Sequence, residues 1–299
     1  MSNEPKINPR DAAGPRPTRR DVTSARITRS GVKSPLINVM EAAARKAARG
    51  LVRDFGEVEQ LQVSKKGPAD FVSAADLRAE RILRTELTKA RPRFGFVLEE
   101  QGEIRGVDEH NRWVIDPLDG TTNFLHGIPH FAISIAQERD GEVIAAIIYE
   151  PVRDEMFWAE KGAGAYLNDR RLRVSARTDL TASLIATGLP FKGRRTHPRY
   201  LDTLKAIMER TAGIRRAGSA ALDLAYVAAG RYDGFWEYGL SRWDIAAGLL
   251  LVREAGGFVT GLDDGSGNGD ADPLDTGNVL AANGQLLAPL GAAIREALA

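Results

Sequence analysis

Two carboxylates, one glycine and two threonines follow closely after an apolar run that is typical of a buried strand. The run is Trp113-Val114-Ile115, and the polar stretch is Asp116-Pro117-Leu118-Asp119-Gly120-Thr121-Thr122. In a chain without cysteine, carboxylate oxygens favour Mg²⁺, Mn²⁺ or Ca²⁺ over zinc or copper. The backbone amides of Gly120 and Thr121, at an expected helix start, are suited to an anion. A cation site beside an anion site predicts chemistry on a phosphate ester.

Further acids stand where other predicted elements begin or end. Asp76 lies in the first turn of a predicted helix, Glu99-Glu100 follows a short predicted strand, and Asp244 lies near the start of another predicted helix. Taken singly, each has an ordinary explanation, since acids are common in exposed turns and are favourable in the first turn of a helix. Together they could complete a set of hard oxygen ligands around residues 116–119.

Hydrophobic periodicity and turn residues predict the elements that must position these acids. In the first half, helices are predicted at 35–56 and 74–90, a loop or hairpin at 65–73, and strands at 94–98, 113–115, 131–139, 142–150, 156–160, 164–167 and 172–174. Strands that follow one another without helices predict an antiparallel region. The second half alternates, with strands at 184–187, 214–216, 232–238 and 279–282, helices at 198–210, 220–229 and 243–255, a loop at 261–276, and a C-terminal helix.

The charge of the chain is uneven, although its formal net charge is only +1. Residues 1–33 contain eight Lys or Arg against three Asp or Glu, a net of +5, and the rest contains 33 against 37, a net of −4. This basic leader is rich in Pro, Ser, Thr and Arg and is predicted to be disordered. It is expected to be a solvated tail, with a weak contact for nucleic acid or an acidic protein as the alternative. An organelle transit peptide is a further alternative, although the three acids count against it. The absence of a long apolar run and of a secretory signal predicts a cytoplasmic protein without a membrane span.

Two long motifs resemble the inositol monophosphatase family of Mg²⁺-dependent, Li⁺-sensitive phosphatases. Residues 113–124 resemble its first signature, and Trp243-Asp244-Ile245-Ala246-Ala247-Gly248, continued by Glu254-Ala255-Gly256-Gly257, resembles its second. Weaker similarity extends from about residue 35 to the C-terminus, and residues 186–191 and 216–230 resemble the bacterial SuhB-type branch. The resemblance implies an α+β fold, the layered αβαβα sugar-phosphatase architecture. It also implies an α+β lobe at 34–185 and an α/β lobe at 186–299, with the site between them.

Carried over residue by residue, the resemblance implies two or three Mg²⁺ ions per subunit. The implied metal ligands are Glu99, Asp116, the carbonyl of Leu118, Asp119 and Asp244, with Asp76 near a third, loosely held ion. Thr121 and Asp76 would orient and deprotonate the attacking water, with Glu99 as a further catalytic residue. No phosphoenzyme would form.

The same resemblance implies a substrate site around these ligands. The amides of Gly120 and Thr121 would hold the phosphate, and the residues facing the alcohol half would be Gly218, Ser219, Ala220 and Glu237. Asp119 and Asp244 would also bind the substrate. Many animal members have a small polar residue near the substrate hydroxyls, where this chain has Pro190-Phe191. This departure leaves the preference for inositol open.

Inositol-1-phosphate or a similar sugar or polyol monophosphate is the substrate that the resemblance implies, and a homodimer is the implied assembly. Related phosphatases share the metal cluster and differ in the pocket, so fructose-1,6-bisphosphate, 3′-phosphoadenosine phosphate and histidinol phosphate are alternatives. A different class of function is also open, because SuhB-type proteins take part in ribosomal RNA transcription antitermination with RNA polymerase and Nus factors.

Overall fold

A computed structural model describes residues 31–57, 63–67, 70–190, 197–262 and 271–298, with the backbone alone for 63–67, 70–73 and 197. Residues 1–30 of the predicted leader lie outside the described residues, as do Phe191 and positions 263–270 of the predicted loop. Lys33, the last leader residue, forms an ion pair with Glu41 at 2.6 Å. None of the described helices has the length and apolar character needed to cross a membrane.

Two helices form the first layer. Helix α1 (Pro35–Phe55) begins with proline at its first position, and the Oγ of Ser34 accepts a hydrogen bond from the Ile37 amide at 3.2 Å. An antiparallel hairpin, β1 (Val63–Gly67) and β2 (Asp70–Ser73), leads to helix α2 (Ala74–Ala90). The two helices pack on each other and bury apolar residues of both against a sheet. The predicted helices and hairpin are therefore present.

An eight-stranded sheet forms the second layer. Its strands are β3 (Phe94–Leu98), β4 (Gly102–Ile104), β5 (Asp108–Asp119), β6 (Ala132–Arg139), β7 (Glu142–Glu150), β8 (Glu155–Glu160), β9 (Gly164–Leu167) and β10 (Arg170–Arg171), and a short helix, α3 (Thr121–Leu125), follows β5. The spatial order is β10-β9-β8-β7-β6-β5-β3-β4. Neighbouring strands are antiparallel, as predicted, except for the parallel pair β3 and β5.

The predicted strand at 172–174 is wrong. Pairing at this edge of the sheet stops at Arg171, which lies opposite Tyr166. The Leu172 amide still donates to the carbonyl of Ala165 at 2.8 Å, but the Val174 amide donates to the carbonyl of Ala255 at 3.1 Å. The chain therefore leaves the sheet here, because its next hydrogen bond goes to the end of a helix in the second half.

The described residues of the second half form a five-stranded mixed sheet with five helices. In chain order its elements are β11 (Leu184–Thr187), α4 (His197–Met208), β12 (Gly213–Arg215), α5 (Ala220–Ala228), β13 (Gly234–Glu237), α6 (Arg242–Glu254), β14 (Phe258–Gly261), α7 (Pro273–Thr276), β15 (Val279–Ala282) and α8 (Leu287–Leu298). The spatial order is β12-β11-β13-β15-β14, in which β11 runs parallel to β12 and β13, and β15 runs antiparallel to its neighbours.

Strand β14 and helix α7 are absent from the sequence-based prediction, which has a loop at 261–276. Strand β14 lies at the edge of its sheet, and Phe258 is 55% exposed. A four-residue edge strand with little buried apolar surface has no strong periodic signal. The same shortness hides α7, whose start is nevertheless marked by the Asp272 side chain and by Pro273.

Five layers result, and the predicted layered αβαβα fold of the α+β class is confirmed. Helices α5 and α6 lie between the two sheets, whereas α4 and α8 cover the outer face of the smaller sheet. Strand β5 contributes to two cores, because Trp113 and Ile115 face α1 and α2 while Val114 faces α5 and α6. The C-terminal end of β5 is therefore within reach of both helical layers.

Candidate active site

Strand β5 carries two of the predicted acids at its C-terminal end. Asp116 lies opposite Ser134 of β6, and Asp119 lies opposite Ala132, so β5 contains one extra residue between the two pairs. Such a bulge redirects side chains and tolerates a proline, here Pro117. The predicted turn after the strand is therefore a bulged part of the strand itself, because β6 continues to pair with it as far as Asp119.

Glu99 reaches Asp116 because two strands run parallel. Leu98 at the end of β3 lies opposite Ile115 of β5, so the next residue of each strand, Glu99 and Asp116, stands at the same edge of the sheet. The Glu99 amide also donates to the carbonyl of Ile115 at 3.3 Å. The structure thus brings together two acids that are 17 positions apart in the sequence.

Thr121 and Asp76 form the second part of the site. The hydroxyl of Thr121 lies 3.1 Å from Oδ1 of Asp76 and 3.1 Å from the carbonyl oxygen of Leu118, and it can donate to either. Asp76 is fully buried in the first turn of α2. Gly120, which precedes Thr121, has φ +98°, and a Cβ there would lie 3.0 Å from the carbonyl oxygen of His130. Glycine is required at this turn for both reasons.

Asp119 contacts the start of helix α5. Its Oδ2 accepts a hydrogen bond from the Ser219 hydroxyl at 2.5 Å and from the Ala221 amide at 2.7 Å. Ser219 is the N-cap of α5, and its Oγ also accepts from the Leu222 amide at 3.3 Å. The carboxylate of Asp119 therefore satisfies donors at the start of a helix that is about 100 residues away in the sequence.

Asp244 lies in the first turn of α6. Its Oδ2 accepts from the Ser241 amide at 2.7 Å, which orients the carboxylate at the helix start. The Ser134 hydroxyl of β6 donates to the carbonyl of Trp243 at 3.2 Å and so holds this end of α6 against the larger sheet. The second predicted signature is thereby placed beside the bulge of β5.

Mutual repulsion among these acids is visible in their pKa values. Burial raises the pKa of Asp116 well above its usual range, and neighbouring carboxylates, Glu99 first, raise it further. Burial and then the charge of Asp119 raise the pKa of Asp244. Burial raises the pKa of Asp119 to about 6, against the opposing effect of the hydrogen bond from Ser219. The carboxyl groups of Asp116 and Asp244 therefore lie in the field of other groups of the same charge.

A divalent cation would fit this arrangement. Buried carboxylates that repel one another are stabilised by a positive charge between them, and their hard oxygen atoms suit Mg²⁺. Among the described residues, however, no three Asp, Glu or His side chains are arranged so that they could already hold a metal ion. Asp116 instead accepts from the Leu118 amide at 2.8 Å, while Asp119 and Asp244 accept from the donors described above. Each of these carboxylates has further lone pairs with which it could bind a cation.

A sequence model of the inositol monophosphatase family matches residues 32–299. The chain belongs to this family. An inositol-1-monophosphatase of Mesorhizobium japonicum is 56% identical over 266 residues, which cover 89% of this chain and 98% of that protein. The Nus factor SuhB of Escherichia coli K12 is 44% identical over 264 residues, which cover 88% of this chain and 97% of that protein.

A crystal structure gives the same result for the fold. The extragenic suppressor protein suhB from Bartonella henselae aligns with a TM-score of 0.84 at 56% identity, covering 88% of this chain and 99% of that chain. The predicted family is therefore confirmed. The predicted class of enzyme, a phosphoric monoester hydrolase, is confirmed as well, because an inositol monophosphatase is an enzyme of this class.

Glu237 borders the inositol monophosphatase-like site from the smaller sheet. Strands β11 and β13 run parallel with Thr187 opposite Trp236, so Gly188 and Glu237 follow at the same edge. A Cβ on Gly188 would lie 1.8 Å from Oε1 of Glu237, so glycine leaves the room that this carboxylate occupies. Both residues line a cavity of about 310 Å³ that also reaches Asp244 and is bordered by Leu189, Pro190, Arg199 and Tyr200.

The structure thus places the predicted residues in one region of this family member, and it adds others that the sequence did not indicate. Asn123 bonds to the loop that contains Gly218, and Glu80 bonds to the turn that contains Glu99. Asp223 is buried in α5, where burial and then the charge of Glu237 raise its pKa. Glu80 stands four residues after Asp76 and therefore on the same face of α2, but a charged residue at this spacing is also typical of a solvated helix face.

Proposed function

We propose that this chain is a Mg²⁺-dependent phosphatase that hydrolyses a polyol monophosphate, with inositol-1-phosphate as its substrate. One observation carries the proposal, namely that the repelling carboxyl groups of Asp116, Asp119 and Asp244 stand next to the Thr121–Asp76 hydrogen bond. A phosphate monoester dianion repels an attacking nucleophile, so hydrolysis needs positive charge beside a group that accepts a proton. The name of the Mesorhizobium japonicum relative supports inositol-1-phosphate as the substrate.

The proposed metal site uses the five ligands at the edge of the larger sheet and the start of α6. Two Mg²⁺ ions would be held by Glu99, Asp116, the carbonyl of Leu118, Asp119 and Asp244, and a third would lie near Asp76. Mg²⁺ supplies charge neutralisation and lowers the pKa of water. The carbonyl of Leu118 has a second lone pair beside the one that faces Thr121, so it retains capacity as a ligand. We also propose that Li⁺ inhibits the enzyme.

Thr121 and Asp76 would together accept the proton of the attacking water. The Thr121 hydroxyl has one proton, which it can donate to Asp76, so the lone pairs of its Oγ1 can accept a hydrogen bond from water. As the water oxygen attacks phosphorus, its proton would pass to Thr121 and the hydroxyl proton would pass to Asp76. The bond between phosphorus and the alcohol oxygen breaks, and the departing oxygen takes a proton from a second water molecule. Inorganic phosphate and the alcohol are released, and the proton held by Asp76 returns to the solvent.

Backbone amides and the cavity would bind the two ends of the substrate. The amides of Gly120 and Thr121 would hold the phosphate. Because α3 has only five residues, these two donors rather than a helix dipole would provide the attraction. The alcohol would lie toward Gly218, Ser219, Ala220 and Glu237, and the cavity beside Glu237 is large enough for a small polyol.

A substrate panel tests the proposal. The purified full-length chain is assayed for phosphate release from inositol-1-phosphate, fructose-1,6-bisphosphate, 3′-phosphoadenosine phosphate and histidinol phosphate, each with and without Mg²⁺. We expect the highest kcat/KM for inositol-1-phosphate and no turnover without Mg²⁺ or with Asp119→Asn. Asp233→Asn, a buried acid at the opposite end of β13, is the control and should stay active. Near wild-type activity of Asp119→Asn at saturating Mg²⁺ would contradict the assignment.

A second candidate function follows from the relative that is named a Nus factor. We propose a contact with RNA polymerase or its elongation factors as an additional role, which does not exclude catalysis. It predicts that the chain co-purifies with RNA polymerase from its own cells, and that Asp119→Asn rescues a strain that lacks the protein. If neither result is obtained, this role is wrong.

We further propose a homodimer, for which light scattering after gel filtration should give twice the mass of one chain.

A further inference from the structure

Asn123 joins two parts of the active site that are far apart in the sequence. It lies in α3, two residues after Thr121, and is only 6% exposed. Its Nδ2 lies 2.8 Å from the carbonyl oxygen of His130 and 2.9 Å from that of Ala217, with the carbonyl of Gly218 at 3.4 Å. Only the NH₂ group of the amide can face carbonyl oxygens, so these three acceptors fix the orientation of the side chain.

The loop that receives these hydrogen bonds leads directly to Asp119. Gly218 has φ +92°, and a Cβ there would lie 3.1 Å from Nδ2 of Asn123, so the loop passes closely against the amide. The next residue, Ser219, donates to Asp119 at 2.5 Å. Asn123 therefore holds the loop from which the Ser219 hydroxyl reaches Asp119.

The carbonyl group of His130 links the phosphate end of the site to the side-chain amide of Asn123. The carbonyl of His130 accepts from Asn123, and the same oxygen stands 3.0 Å from the place where a Cβ of Gly120 would lie. Asn123 thus holds the backbone behind Gly120 and the backbone before Ser219 with one NH₂ group. A buried amide with two short hydrogen bonds keeps such segments in place, because losing it leaves buried carbonyl groups without a donor.

We propose that Asn123 is a positioning residue that sets the separation between the phosphate end and the alcohol end of the substrate site, and thereby the selectivity for polyol phosphates. The proposal rests on the phosphatase function proposed above. Asn123 touches no reacting atom. A shift of about 1 Å in a group that orients the substrate can reduce the rate by about a hundredfold. An aryl phosphate without hydroxyl groups does not use the alcohol end. The hydrogen bonds of Thr121 to Asp76 and Leu118 still hold the phosphate end, so this substrate tolerates such a shift.

The test compares two substrates in Asn123→Ala and Asn123→Asp. Asn123→Asp keeps the size of the side chain but places a carboxylate oxygen against the carbonyls. We expect kcat/KM for inositol-1-phosphate to fall by about tenfold to a hundredfold, while kcat/KM for p-nitrophenyl phosphate stays within about threefold of wild type. The ratio of the two kcat/KM values is the readout.

Asn283 provides a matched control. It is 5% exposed, and its Nδ2 lies 2.9 Å from the carbonyl oxygens of both Ser175 and Arg177. It follows β15 at the end that lies opposite Gly234, away from the end that lies opposite Glu237. Asn283→Ala therefore removes the same kind of buried amide outside the site. It should lower the melting temperature like Asn123→Ala and leave the substrate ratio within about twofold of wild type.

The outcomes are separable. The proposal is overturned if the Asn123 variants lose activity on both substrates equally, or if neither activity changes. Asn123→Ser retains a donor and should give an intermediate ratio, and it replaces the other two variants if they do not fold. If none of the three folds, Asn123 is a structural residue and the proposal fails. If the wild-type chain releases phosphate from neither ester, the proposed function itself is wrong, and the positioning role falls with it.

Discussion

The hydroxyl of Thr121 lies 3.1 Å from a carboxylate oxygen of Asp76, although 45 positions separate the two residues in the sequence. Helix α2 brings the buried carboxylate, and the bulge of β5 followed by Gly120 brings the hydroxyl. The pair has the two parts of a proton acceptor for water, since the hydroxyl can bind the water and the carboxylate can take the proton.

Removing the Thr121 hydroxyl should therefore abolish most of the activity. We expect Thr121→Val, which has the same shape, to lower kcat by about 10²-fold to 10⁴-fold. Thr121→Ser keeps the hydroxyl and should retain kcat within about tenfold. Phosphate release at saturating substrate and Mg²⁺ is the measurement, with the melting temperature as a check on folding. Equal rates for the Val and Ser variants would show that the hydroxyl has no role in the reaction.

Asp244→Asn should separate stability from metal binding. The asparagine oxygen can still accept from the Ser241 amide, and the neutral side chain no longer repels Asp119. In a chelator the variant should be as stable as wild type or slightly more stable. Saturating Mg²⁺ should stabilise wild type by about 3 kcal/mol at a hundredfold excess over Kd, and the variant much less. The melting temperature with Mg²⁺ and with chelator measures both effects.

Asp233→Asn is the control for this experiment. Asp233 is also buried, and its Oδ2 accepts from the Leu184 amide at 2.7 Å at the far end of the smaller sheet. Its replacement should leave the Mg²⁺-dependent rise in melting temperature unchanged. If Asp244→Asn shows the full rise as well, Asp244 does not contribute to Mg²⁺ binding.

Glu80 should support Glu99 from α2. It is fully buried, and its two oxygens accept from the Glu100 amide and from the side-chain amide of Gln101, each at 2.8 Å. Glu80→Ala should destabilise the fold by about 1–3 kcal/mol because two partly buried hydrogen bonds to a buried carboxylate are lost. It should also weaken Mg²⁺ binding by about tenfold to a hundredfold, which is the usual cost of losing a residue that orients a ligand. Titration calorimetry with Mg²⁺ measures the second effect.

Two variants on α2 make the Glu80 experiment specific. Glu80→Gln keeps an oxygen for the Glu100 amide and should bind Mg²⁺ nearly as well as wild type. Glu86→Ala removes ion pairs with Lys46 and Lys89 on the surface of the same helix, and such pairs contribute about 1 kcal/mol or less. Its Mg²⁺ affinity should be unchanged. An equal loss of affinity in Glu80→Ala and Glu86→Ala would contradict a specific role for Glu80.

The sequence alone could indicate the acids because each stands at an end of a periodic element. It also indicated the helices α1 and α2, whose apolar faces repeat at helical spacing. What it could not indicate was the direction of pairing. Glu99 meets Asp116 because β3 and β5 are the one parallel pair in the described larger sheet, whereas a run of strands without helices favours antiparallel neighbours throughout.

Contacts made by backbone groups were also beyond the sequence. The Ala221 amide binds Asp119, but an alanine carries no side-chain signal for this role. Asn123 belongs to the first signature, yet its partner in the 217–218 loop is more than 90 positions away. Glu80 has the residue type of a solvated helix face, and only the fold shows that it is buried. Tertiary contacts decide such roles, and single-sequence periodicity does not contain them.

His130 should make the stability of the fold depend on pH. It is half-buried, and burial, followed by the positive charge of Arg153, lowers its pKa to about 4. Within the described part of the chain its Nε2 is buried without a hydrogen-bond partner, so no acceptor there stabilises the charged form. In the unfolded chain the pKa is near 6.5, so the unfolded state binds more protons between pH 6.5 and about 4. The folded state therefore loses stability as the pH falls through this range.

His130→Gln removes this titration. The free energy of unfolding of the variant, relative to wild type, should rise as the pH falls from 6.5 to about 4, with a slope of at most about 1.4 kcal/mol per pH unit. His110→Gln is the comparison, because the exposed His110 ring pairs with Asp140 at 2.6 Å and its pKa is raised. The stability from that pair is present below pH 6.5 and is lost as the pH rises through the raised pKa, so removing it has the opposite sign. Urea denaturation at a series of pH values distinguishes the two, and a flat difference curve for His130→Gln would contradict the assigned pKa.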